Sequence, residues 1–65
     1  MLITVNGQHE QVGDETSITQ LLAQHRLSAD KVAVEVNRRL VKSADYGRVL
    51  REGDVLEIVT FVGGG

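Results

Sequence analysis

Apolar residues recur with a period of two at the start of the chain, where Met1, Ile3 and Val5 alternate with Leu2, Thr4 and Asn6. This pattern, rich in β-branched residues, predicts a strand, and Asn6-Gly7 is the dipeptide best suited to a type I′ hairpin turn. A return strand follows over about Gln8 to Val12; it is more polar, as suits a sheet with one face toward water, and Gly13-Asp14-Glu15 ends it. The period then changes. Ile18, Leu21, Leu22 and His25 fall at i, i+3, i+4 and i+7, the stripe of an amphipathic helix. Ser17 with Gln20 three residues later forms a capping box at its start. The spacing predicts a helix to about Arg26, with His25 closing the apolar stripe and both basic residues set against the negative pole of the helix.

Beyond a polar connection at Leu27 to Asp30, Lys31 to Val36 alternates again, with Val32, Val34 and Val36 on one face. Asn37 to Arg39 turns the chain, Arg39-Leu40-Val41 makes a short strand, and Ser43 to Leu50 reads as an irregular or single-turn helical connection. Glu52-Gly53-Asp54 is a turn signal. Val55 to Val62 is the longest apolar run; Leu56 and Ile58 share one face, and Val55, Glu57, Val59 and Phe61 share the other. A strand apolar on both faces belongs in the middle of a sheet. Hairpin, helix, strand, short strand and strand in this order predict an α+β domain, one helix across a mixed sheet of four or five strands. The order suggests a ubiquitin-like β-grasp over residues 1–62, followed by a flexible glycine tail at 63–65.

Composition narrows the chemistry. A single domain of 65 residues buries only about 60% of the surface of its unfolded chain, which leaves no room for a large catalytic cleft. Cysteine is absent, which removes disulfides, zinc thiolates and thiol nucleophiles and is compatible with a reducing cytoplasm. The net charge is −2, and Tyr46 and Phe61 are the only aromatic residues, so phosphate neutralisation and base stacking both lack their usual side chains and no nucleic acid is expected as a partner. No apolar run approaches the roughly 18 residues of a membrane helix, and no signal-peptide pattern is present, so a cytoplasmic protein with no membrane partner is expected. His9 and His25 lie on different elements with no carboxylate at ligand spacing, and no metal site is expected from them.

The ending Val62-Gly63-Gly64-Gly65 carries the candidate chemistry. Glycine lacks a Cβ, so Gly63 and Gly64 could thread a slot too narrow for side chains. At about 3.3 to 3.6 Å per extended residue, the run would carry the Gly65 carboxylate roughly 10 Å into another protein. A frayed tail is the plain alternative. Phe61, Val59 and Leu40 are candidates for an exposed apolar patch beside it, on the sheet face that no helix covers. Completion of the core is the competing role for them.

"VNGQ", "TSITQLL", "VAVEVN" and "LREGDVLEIVTFVGGG", taken in order, resemble the ThiS family of sulfur carrier proteins of thiamin biosynthesis. The most specific part is the combination of Gly53-Asp54, the apolar strand and Gly64-Gly65. The chain departs from the common ThiS pattern at Asn37-Arg38-Arg39 and Lys42-Ser43, where a glycine after the asparagine and then a proline are usual, so the turn geometry there is not carried over.

The resemblance implies that the chain is a protein cosubstrate with no catalytic residues and no bound cofactor. A ThiF-type adenylating enzyme would use ATP to activate the Gly65 carboxylate, a sulfur-donor enzyme would supply sulfur, and the thiocarboxylate would deliver it to a ThiG-type thiazole synthase. Adenylation suits this end, because a carboxylate expels oxide too poorly to undergo acyl substitution and AMP is a workable leaving group. Phe61, Val59 and Leu40 would then help dock the adenylating enzyme. Related assignments stay open: a MoaD-like carrier for molybdopterin synthesis, a ubiquitin-like modifier joined to lysines through Gly65, and an interaction module with an inert tail.

Overall fold

The computed structural model describes residues 1–61. Strand β1 (Leu2–Val5) turns through Asn6-Gly7 into β2 (Gln8–Gln11), the helix α1 (Ile18–Gln24) follows, and β3 (Val32–Val36) turns into β4 (Arg39–Val41) before the final β5 (Val55–Thr60). Short 3-10 turns at Ala29–Lys31 and Ser43–Asp45 fill the connections. The five strands form one mixed sheet in the order β2-β1-β5-β3-β4. β5 runs parallel to β1 and antiparallel to β3, so the last strand lies in the middle, between two hairpins, as its two apolar faces predict. One helix over such a sheet is the β-grasp arrangement. Among the described residues no helix is long and apolar enough to cross a membrane.

Each element follows from local chemistry. Asn6 (φ 50°) and Gly7 (φ 83°) occupy the two left-handed positions that a type I′ turn demands. The capping box is complete, with Ser17 Oγ accepting from Gln20 N at 3.1 Å and Gln20 Oε1 accepting from Ser17 N at 2.9 Å. The helix closes earlier than the predicted Arg26. His25 is its C-cap and Arg26 turns left-handed at φ 60°. Arg26 N donates to Ala23 O and Leu27 N to Leu22 O, which satisfies the last carbonyls in a Schellman motif. His25 consequently leaves the apolar stripe, is exposed, and places Nε2 2.9 and 3.0 Å from the two carboxylate oxygens of Glu10 in β2.

Ile18, Leu21 and Leu22 of α1 pack on Ile3, Val5, Val34, Val36, Leu56 and Ile58 of the sheet. The 46–50 connection contributes more than the sequence pattern indicates. Tyr46 and Leu50 are both core residues, and the connection is tied to the start of the helix by hydrogen bonds from Ile18 N to Arg48 O and from Leu50 N to Thr16 O. Burying side chains of the leucine and isoleucine class contributes about 1.5–3 kcal/mol each, which is how so short a chain holds one fold without crosslinks.

Candidate functional site

The start and middle of β5 are held by two asparagines acting through both backbone and side chain. Asn37 N donates to Val55 O at 2.7 Å, and its Oδ1 accepts from Val55 N at 2.9 Å. Its Nδ2 reaches Asp54 Oδ1 at 3.0 Å, while Asp54 Oδ2 accepts from Arg51 N at 2.8 Å, so this nearly buried carboxylate ties the turn before β5 to the β3–β4 turn. On the other flank, the Asn6 amide mimics a strand backbone: Oδ1 accepts from Ile58 N at 2.7 Å and Nδ2 donates to Ile58 O at 3.1 Å. This extends the β1–β5 pairing past the end of β1. Phe61 N donates to Lys31 O at 2.9 Å, which carries the β3–β5 ladder one residue beyond β5. The chain is thereby fixed up to Phe61. Gly63, Gly64 and Gly65, the predicted threading and reactive residues, lie outside the described residues.

The sheet face away from α1 is uncovered. Leu40, Val59 and Phe61 are 69%, 59% and 56% exposed, so none of the three completes the core. Strand register sets their neighbours: Leu40 lies opposite Glu35, Glu35 opposite Glu57, and Ala33 opposite Val59. Apolar side chains thus border two carboxylates in the middle of the sheet. Neither Glu35 nor Glu57 forms an ion pair among the described residues. The described residues contain no group of three or more His, Cys, Asp or Glu able to hold a metal. His9 sits opposite Thr4 on the uncovered face, whereas His25 is engaged with Glu10 at the end of the helix.

Sequence comparison locates this architecture. A family model described as the ThiS family matches residues 2–65. The chain belongs to the ThiS family. A protein named sulfur carrier protein ThiS from Bacillus subtilis is 43% identical over 53 residues, which cover 80% of each chain. A thiazole synthase from Paramagnetospirillum magneticum is 36% identical over 66 aligned positions covering all of this chain, and the chain spans 20% of that protein's length. Among solved structures, the crystal structure of the thiamine biosynthesis protein ThiS from Geobacter metallireducens superposes with a TM-score of 0.79 at 32% identity, over the full length of both chains.

One ThiS-family element takes a particular form here. The β3–β4 turn, where a glycine is common, has Asn37 at φ 52° and Arg38 at φ 70°. It remains a left-handed two-residue turn with an arginine in the glycine position. Asn6, Asn37 and Asp54 were legible as turn formers, but their hold on β5 was not. The only signal for it is that short polar side chains able to bond backbone sit at both turns and just before the last strand.

Proposed function

We propose that the chain is a sulfur carrier in thiamin biosynthesis and acts as a protein cosubstrate rather than as a catalyst. The observation that carries this reading is the ThiS-family match, which runs through the diglycine to Gly65. It is supported by the name of the Bacillus subtilis relative and by the architecture, which holds β5 rigidly up to Phe61 beside an uncovered apolar face. The reading requires Gly65 to carry a free α-carboxylate in the working protein.

In the first step that carboxylate attacks the α-phosphorus of ATP, forming an acyl–AMP anhydride and releasing pyrophosphate on a ThiF-type enzyme. A sulfur-donor enzyme then supplies sulfur at the oxidation level of sulfide. Attack on the acyl carbon breaks the bond to AMP, which leaves with its oxygen, and a thiocarboxylate remains on Gly65. Proton transfer and oxyanion stabilisation belong to the enzymes that grip the chain. The thiocarboxylate sulfur, a soft nucleophile, is then passed to a thiazole synthase. The likeness to a protein of that name over the whole of this chain supports this partner. No bound cofactor is needed, ATP being consumed by the partner, and the lack of cysteine suits a reducing cytoplasm, where no internal thiol would intercept the acyl adenylate.

Intact-mass spectrometry after incubation with a ThiF-type enzyme, ATP and a sulfur donor is the test. The expected product has one oxygen replaced by sulfur at Gly65, and a variant lacking Gly65 stays unmodified although folded. An unchanged mass beside an enzyme that activates its own carrier would overturn the reading, as would a ladder of covalent conjugates to other proteins.

A further inference from the structure

The uncovered sheet face holds two like charges side by side. Glu35 in β3 and Glu57 in β5 are direct partners in the antiparallel register, and both are exposed. Directly opposed residues bring their Cβ atoms to about 4.5–5.5 Å, and like charges at that spacing weaken a sheet. Both strands lie inside the sheet, and neither carboxylate has a cationic partner among the described residues. The fold would be better served by a glutamine or threonine at either position.

The surroundings indicate what offsets this. Leu40 lies beside Glu35, Val59 pairs with Ala33 one step along the same face, and Val55 lies on the other side of Glu57. A partner that covers these aliphatic side chains must also strip water from both carboxylates, which is costly unless a cation enters with it. A lysine ammonium is a compact point charge, whereas the planar guanidinium presents five donors in a fork that can serve two carboxylates together.

We propose that this face docks a protein whose contact surface presents an arginine ringed by apolar side chains, with its guanidinium entering between Glu35 and Glu57. The choice of the adenylating enzyme as that protein rests on the sulfur-carrier reading; the charge argument does not. The two carboxylates make docking selective, because an apolar surface without the cation is rejected.

The test is calorimetric titration of the wild-type chain and of the Glu35→Gln/Glu57→Gln double variant into a purified ThiF-type enzyme at low and moderate salt. The double variant should bind about tenfold or more weakly and lose most of the salt dependence of association. It should also melt at a higher temperature than the wild type, which rules out unfolding as the cause. Unchanged affinity in the double variant would overturn the proposal, and continued thiocarboxylation of the wild type in the same preparation would leave the carrier reading standing. Absence of wild-type binding to an enzyme that binds its own carrier would overturn the docking proposal, while thiocarboxylation in the same preparation decides the carrier reading separately. Concentration-dependent dimerisation in sedimentation that disappears in the double variant would assign the face to a second copy and likewise overturn the arginine partner.

Discussion

On the side of the sheet covered by α1, Ile3, Val5, Val34, Val36, Leu56 and Ile58 are each no more than 7% exposed. On the opposite face, Val55 and Val59 of β5 are 45% and 59% exposed, and Leu40 of β4 is 69% exposed. The contrast within β5 teaches most, because Leu56 and Val59 are aliphatic residues three positions apart in one strand, and their difference in burial comes only from the parity of their positions. Hydrophobicity in this strand therefore serves two purposes. Leu56 and Ile58 hold the domain together, and the odd-numbered positions form a surface that no part of the described chain covers.

The sharpest way to break the comparison is at the covered face. Leu56→Ala should cost about 2–5 kcal/mol, because the site is enclosed and closes poorly over a deleted side chain. Set against the few kcal/mol that stabilise a domain of this size, the loss should appear in chemical denaturation as a collapse of the folded baseline. Retention of near-wild-type stability would mean that the two faces are energetically alike.

A change that touches neither face serves as a control. Arg38 holds a left-handed conformation that costs an L-residue about 1 kcal/mol or more and glycine almost nothing. Arg38→Gly should accordingly raise stability by about 1 kcal/mol, a shift of about 4–8 °C in the melting midpoint of so small a domain. No gain would show that the arginine side chain contributes something to the fold that offsets the backbone strain.

The smallest effect on stability is expected at the uncovered face. Phe61→Ala should change unfolding by about 0.5 kcal/mol or less while weakening capture by the adenylating enzyme, measured by titration with the folded variant. If the binding defect scales with unfolding instead, Phe61 belongs functionally with the core.

Much of this comparison was legible before any coordinates. Alternation in Ile3 to Val5, Val32 to Val36 and Val55 to Val59 assigns each residue to a face, and Asn6-Gly7 and the Ser17/Gln20 box mark where elements begin and turn. Leu40, Val59 and Phe61 were legible as apolar residues on the face opposite the helix. The error at His25 shows the limit. Helical spacing placed it on the stripe, but the chain leaves the helix one residue earlier and the imidazole finds Glu10, fifteen residues back in another strand. Tyr46 and Leu50 sit in a segment without periodicity, so their burial had no pattern to announce it.

The sequence by itself determined the kinds of element, their order and the parity of each strand, because turn chemistry, capping and side-chain alternation act over a few residues. It also carried the ThiS pattern and the glycines on which the proposed chemistry depends. Only the tertiary structure decided which residues became neighbours: the Asn6 amide on Ile58, Asp54 under Asn37, and Glu35 against Glu57. Parity says which face a side chain occupies but not what lies beside it. That second fact depends on the register between strands far apart in the chain, and so on the packing of the whole domain.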